Sequence, residues 1–181
     1  MEFKAFKMDG LGNDFIIIDQ RFQSIDLSKQ QIIKICDRNF IGCDQLIYIK
    51  KNRKIDAGLE FYNSDGSQSG ACGNGTRCVA YFLSKEKNTK EIIVWTTSGN
   101  RRSKINGSNE VETEIGEPKL SWDQIPLSQN INTKNLGLKL IDNDGKEFIG
   151  GIAVNVGNPH VIFFLENIKN FNLEKLGPEI E

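Results

Sequence analysis

From Asn63 to Gly75 the chain reads Asn-Ser-Asp-Gly-Ser-Gln-Ser-Gly-Ala-Cys-Gly-Asn-Gly. Thirteen residues with four glycines and almost no apolar side chain make neither a core strand nor a helix interior. What surrounds the stretch is different in kind. Leu59 to Tyr62 before it reads as a strand, and Val79, Ala80, Phe82 and Leu83 after it fall on one face of a helix. The sequence therefore predicts a polar loop that delivers Cys72 at or near a helix start.

The rest of the first 116 residues is punctuated in the same way. Phe3 to Met8 and Phe15 to Ile18 read as strands, separated by the tight turn Gly10-Leu11-Gly12-Asn13-Asp14. The run Phe15-Ile16-Ile17-Ile18 has no polar partner face and predicts a strand buried on both sides. Ser28 is placed to cap a helix through about Asp37, with Ile32, Ile33 and Cys36 at helical spacing. Leu46 to Ile49 reads as another strand. Ile92 to Thr96, Arg101 to Ile105 and Val111 to Ile115 predict a β-meander. Gly116-Glu117-Pro118 opens a linker to about Pro126, followed by strands near Leu136 to Ile141, Glu147 to Asn155 and Val161 to Leu165, and a closing helix start. Domain boundaries at 1–116 and 117–181 follow.

Composition excludes more than it selects. Hydrophobic residues are 38% of the 181, enough for a real core, and the net charge of −1 predicts no polyanion partner. Arg101, Arg102 and Lys104 alternate along a strand and read as its solvated face. The apolar runs are about five residues long, far short of a membrane span. No apolar segment marks a signal peptide at the N-terminus. The cysteines, Cys36, Cys43, Cys72 and Cys78, lack zinc-module spacing, so a reduced, cytosolic chain without a metal is expected.

Cys72 stands apart from the other three, because its neighbours are small or polar. At a helix N-terminus the free backbone N–H groups would stabilise its thiolate, lower its pKa and grip a carboxylate. His160, the only histidine, lies in Gly157-Asn158-Pro159-His160, where it would tune a thiol or relay a proton. That segment echoes Gly12-Asn13-Asp14-Phe15 at an offset of 145 residues. If the echo marks a duplicated unit, the counterpart of the Cys72 loop is expected near position 217. Asn13, Asn63, Asn74, Asn158 and Gln45 sit in Gly-rich or polar turns, and amides there would read both the ammonium and the carboxylate of an amino acid. A dinucleotide fingerprint, a phosphate loop and a pyridoxal lysine are all missing.

Five segments together resemble the diaminopimelate epimerase family: Gly10-Leu11-Gly12-Asn13-Asp14-Phe15, Gly42-Cys43-Asp44-Gln45-Leu46, Phe61-Tyr62-Asn63-Ser64-Asp65-Gly66-Ser67, Cys72-Gly73-Asn74-Gly75-Thr76-Arg77-Cys78 and Gly157-Asn158-Pro159-His160. The resemblance implies a mixed α/β fold of two similar lobes, each a β-barrel-like sheet around a central helix, the second lobe incomplete here. It implies inversion of one stereocentre between LL- and meso-diaminopimelate, without a cofactor, by two cysteines on opposite faces of the α-carbon. Cys72 matches the first cysteine and His160 a residue important for catalysis. Asn13, Gln45, Asn63, Gly73, Asn74 and Asn158 match substrate-binding positions. A small-molecule substrate is the implied partner, with neither nucleic acid nor membrane, and a homodimer of the full-length protein as an open option. Because a second cysteine loop is expected downstream, the chain reads as a fragment inactive alone. Another racemase of the same fold, a non-catalytic amino-acid-binding half-lobe and a Cys–His nucleophile remain alternatives.

Overall fold

The computed structural model describes residues 3–107 and 109–180. The chain divides into two compact units, Met1–Gly116 and Glu117–Glu181.

In the first unit the elements run β1 (Ala5–Gly10), β2 (Asn13–Asp19), α1 (Lys29–Cys36), β3 (Gln45–Lys50), β4 (Ala57–Asn63), β5 (Gln68–Ser69), α2 (Gly73–Lys87), β6 (Glu91–Thr96), β7 (Gly99–Ile105) and β8 (Val111–Thr113). They build one sheet in the order β1-β2-β3-β4-β6-β7-β8, with β5 beside β4. The pairs β2–β3 and β4–β6 are parallel. Each therefore needs a crossover, and the connecting segments contain α1 and α2 respectively. The α2 helix packs against β1 and β2 from one side of the sheet and β6, β7 and β8 from the other, so the sheet curls around it.

Two apolar clusters explain the unbroken hydrophobic strands. Phe15, Ile17, Ile47, Ile49, Leu59 and Phe61 face Cys78, Val79, Ala80 and Leu83 of α2. Ile16, Ile18, Leu46 and Tyr48 face Ile32, Ile35 and Cys36 of α1. Burying an aliphatic or aromatic side chain of this kind stabilises by roughly 1.5–3 kcal/mol, so β2 and β3 gain on both faces. Ser28 caps α1: its side chain accepts from the Gln31 N–H while the Gln31 side chain accepts from the Ser28 N–H. The buried α1 face is Ile32, Ile35 and Cys36, and Ile33 points outward at 40% exposure, which corrects the expected stripe. Arg102 and Lys104 are exposed on β7 while Ser103 and Ile105 are buried, as the alternation predicts. Arg101, adjacent to Arg102 and so on the opposite face, is only partly exposed and donates to the Ser98 carbonyl at 2.8 Å, which corrects the reading of all three as one solvated face. The β1–β2 hairpin closes on Leu11 and Gly12, both with positive φ (60° and 82°); positive φ at both central residues is the type I′ turn suited to a twisted hairpin.

The second unit holds two separate hairpins, β9 (Leu138–Ile141) with β10 (Glu147–Gly150) and β11 (Ile152–Asn155) with β12 (Pro159–Ile162), and helix α3 (Leu173–Ile180). The strand expected over Glu147 to Asn155 is broken at Gly151, whose φ is +98°. A Cβ there would stand 3.1 Å from Phe163 Cζ, so the bend needs glycine. Phe148 and Phe171 meet edge-on at 5.2 Å between centroids. No helix among the described residues is long and apolar enough to cross a membrane.

Candidate active site

Cys72 is the N-cap of α2, with extended backbone (φ −147°, ψ 109°). Its Sγ accepts from the Gly75 N–H at 3.3 Å, taking the place an N-cap Ser or Asp oxygen would fill. Thr76 Oγ1 donates to the Cys72 carbonyl at 2.8 Å and helps hold the turn. Gly75 suits this seating, since a Cβ there would come within 2.7 Å of Ile47 Cδ1 and 3.2 Å of Phe61 Cε1. The helix start is thereby seated directly on the sheet.

Register brings the amides to the same place. Asn13 opens β2, Gln45 opens the parallel β3, and Asn63 closes the antiparallel β4, opposite Gln45. All three thus lie at one end of three adjacent strands. Gln45 Nε2 donates to Asn63 Oδ1 at 2.8 Å, and Asn63 Nδ2 donates to Ser67 Oγ at 3.1 Å. The Gln45 Oε1 is buried without a partner among the described residues. Beside the helix start, Asn74 Nδ2 donates to Asn13 Oδ1 at 3.4 Å, and the Cys72 thiol lies 4.0 Å from the same oxygen. Arg77 donates to Asn74 Oδ1. Asn13 Nδ2 donates to Asp44 Oδ2 at 2.6 Å. Asp44 in turn accepts from Arg38 at 2.6 Å, and Arg38 clamps Asp14 through both guanidinium nitrogens at 2.6 and 2.8 Å.

The thiol's electrostatics differ from the sequence expectation of a lowered pKa. Burial pushes the Cys72 pKa up and outweighs the Gly75 and Asn74 N–H groups and the Arg77 charge, which pull it down; Asp44 adds to the rise. A half-buried sulfur loses more hydration than one helix turn restores. A thiol held in this way can exchange a proton with a bound molecule that excludes water, and the N–H groups of a helix start can hold a carboxylate.

The family model for diaminopimelate epimerase matches residues 5–121. The chain belongs to the diaminopimelate epimerase family. A diaminopimelate epimerase of Pelagibacter ubique is 65% identical over 181 residues, covering 100% of this chain and 66% of that one. One from Acidiphilium cryptum is 38% identical, covering 97% and 62%. The chain thus spans about two thirds of the length of these curated relatives. Among solved structures, a protein described as a predicted epimerase from Pseudomonas aeruginosa aligns at a TM-score of 0.61 and 13% identity, covering 97% of this chain and 67% of its own. A hydroxyproline epimerase from Agrobacterium vitis aligns at 0.58 and 11%, covering 96% and 52%. At such identities the likeness is one of fold.

Set against this member of the epimerase family, the expected positions fall into two groups. Cys72, Gly73, Asn74, Asn13, Gln45 and Asn63 gather at one end of the first unit. Asn158 and His160 belong to the second unit, at the β11–β12 turn. There His160 Nε2 is 3.0 Å from Asn158 Oδ1, and both residues are exposed. The echo between the two Gly-Asn segments is a local likeness: each Gly-Asn lies at a hairpin turn just before the returning strand. The sequence reading missed Asp44, Arg38, Arg77 and Ser67. Asp44 and Arg77 carried a readable signal, a charge inside a Gly-rich motif next to amides. Arg38 carried none, because its partner Asp14 is 24 residues away.

Proposed function

We propose that this chain supplies the first-lobe half of an amino-acid epimerase that interconverts LL- and meso-diaminopimelate in the cytoplasm, without a cofactor. Cys72 is the acid–base group for one face of the α-carbon. As thiolate it takes the α-proton and becomes the thiol; in reverse, the thiol gives its proton to the carbanion. The observation that carries this is the sulfur standing as a helix N-cap beside an end-of-strand amide cluster. The N–H groups at the start of α2, including that of Gly73, hold the carboxylate next to the reacting carbon as charge develops. The amides of Asn13, Gln45, Asn63 and Asn74 bind the substrate's polar groups, and the unpartnered Gln45 Oε1 is suited to an ammonium. In the second unit, Asn158 is a substrate-binding residue and His160 relays or tunes a proton, as the family resemblance implies.

Inversion needs a second acid on the opposite face. Cys36, Cys43 and Cys78 are buried, so another loop of the whole protein supplies that thiol. Residues 117–181 then form a linker and the beginning of the second lobe. The test is incubation of LL-diaminopimelate in deuterated water, with mass and chirality of the product measured. A protein with both loops forms deuterated meso product, and Cys72→Ala lowers that rate by about 10²–10⁴-fold. The 181-residue chain alone forms none. Robust meso product from this chain alone, or from the Cys72→Ala protein, overturns the two-thiol reading.

A further inference from the structure

Around Cys72 the side-chain hydrogen bonds run in one direction. Arg77 donates to Asn74, Asn74 donates to Asn13, and Asn13 donates to Asp44. A guanidinium can only donate and a carboxylate can only accept. With one at each end, neither amide between them can turn over without facing two donors or two acceptors together. Asn13 Oδ1 is the atom left pointing at the Cys72 sulfur, 4.0 Å away.

We infer that Asp44 and Arg77 are positioning residues that lock the amides of Asn13 and Asn74, so that Cys72 always meets the carbonyl oxygen of Asn13 and never its NH₂. Asp44 suits the task because it is itself fixed. Its Oδ1 accepts from Arg38 at 2.6 Å, its Oδ2 accepts from the Asp14 N–H at 3.0 Å, and its own N–H donates to Asp14 Oδ1 at 3.0 Å. The consequence is chemical. A carbonyl oxygen facing the sulfur accepts from the thiol and disfavours the thiolate, whereas an NH₂ group there would favour the thiolate. The lock thus sets which of its two forms Cys72 rests in. Asp44, from the turn before β3, and Arg77, on α2 itself, are the charged groups acting on the thiol. At the Leu11–Gly12 turn the Asp9 carboxylate accepts from the Gly12 N–H at 3.4 Å, and Cys78, further along α2, is a titratable neighbour that interacts with both Asp9 and Cys72; β5 brings no charge.

The inference rests on reading Cys72 as the acid–base group, but its test reads thiol chemistry and not turnover, so the two fail separately. The rate of Cys72 alkylation by iodoacetamide is followed against pH by peptide mass spectrometry. Four proteins are compared: the native chain, Asp44→Asn, Asn13→Ala and the double variant. Buried Cys36, Cys43 and Cys78 report on folding by staying unlabelled. In Asp44→Asn the Asn13 amide is free to turn, and the Cys72 midpoint falls by about half a pH unit or more, about threefold faster labelling at pH 7. In the Asn13→Ala background the same change moves the midpoint by less than half as much, because the relay is gone. Equal shifts in both backgrounds mean that Asp44 acts only as a distant charge, and overturn the inference. So does no shift in either. If Asp44→Asn exposes the buried thiols, Arg77→Met replaces it in the cycle. Loss of its charge raises the midpoint in both backgrounds, and the freed amide opposes that rise only where Asn13 is present, so the upward shift is larger in the Asn13→Ala background; equal shifts overturn the inference.

Discussion

Replacing Gly75 with alanine tests how tightly the helix start is pressed onto the sheet. Ala is the better helix former by about 1 kcal/mol, so an unobstructed site would gain stability. Here the added Cβ lands 2.7 Å from Ile47 Cδ1, 3.2 Å from Phe61 Cε1 and 3.3 Å from Phe15 Cε1. Carbon atoms in comfortable contact are about 3.5–4.0 Å apart. The shortfall is therefore about 1 Å at Ile47 and a few tenths at the rings. Phe15 and Ile47 are fully buried and Phe61 is 1% exposed, so none can step aside into open space. Overpacking of this sort costs about 1–3 kcal/mol, which outweighs the propensity gain and leaves Gly75→Ala destabilised by about 1 kcal/mol. The simplest relief lifts the first turn of α2 off the sheet. That would take the residue-75 N–H out of reach of Cys72 Sγ, now 3.3 Å away. Urea unfolding gives the stability, and the pH profile of Cys72 alkylation gives the state of the thiol, with the midpoint moving up. A variant as stable as the native chain or more so, with an unchanged Cys72 profile, would refute the packing argument.

Three further expectations are simpler. Cys72 labels ahead of Cys36, Cys43 and Cys78, and its rate goes on climbing with pH past the ordinary thiol midpoint of about 8.5, because burial raises its pKa; a rate already level at neutral pH contradicts this. Leu11, 86% exposed with φ +60°, sits in a conformation that costs a leucine about 1 kcal/mol, so Leu11→Asn raises the urea midpoint, and a lower midpoint shows that the leucine has a role beyond the turn. Arg38 foremost, against a burial penalty and with help from the Asp44 N–H and Lys7, holds the Asp14 carboxyl well below the usual carboxylate range. A depressed folded pKa gives stability that is present above the unfolded value of about 3.9 and lost as pH falls below it. Asp14→Asn is therefore less stable than the native chain at pH 7, with the gap closing in acid; a gap that stays constant down to pH 2.5 would reject the assignment.

Much of the first unit is legible in the sequence because its elements obey local rules. Ser28 and Gln31 form a capping pair three residues apart, and Phe15 to Ile18 are β-branched or aromatic throughout. Cys72 is conspicuous because nothing apolar surrounds it. What escapes the sequence depends on three-dimensional detail. Ile33 and Ile35 both fit a helical stripe, and only the direction of α1 across β2 and β3 decides that Ile35 is buried. Gly151 interrupts a stretch that reads as one strand, because the ring of Phe163, twelve positions on, crowds the bend. The Cys72 pKa is a balance between lost hydration and two N–H groups, and sequence displays only the second. Asp14 lies 24 residues before Arg38, and Arg38 and Asp44 are six residues apart across a loop with no regular period, so their network has no linear signature.

The double cladding of β2 and β3 bears on how motion is distributed near Cys72. Backbone amides of strands covered on both faces exchange with solvent only when a large cooperative unit opens, whereas short loops open on their own. Asn13 and Gln45 are the first residues of those two strands. They hang on the part of the lobe that gives way last. Cys72 arrives by another route, through the two-residue strand β5 and the glycines at 66 and 70. The amides of Asn13 and Gln45 therefore form the stationary jaw, and any adjustment on the sulfur side is confined to the polar loop that leads up to the helix start.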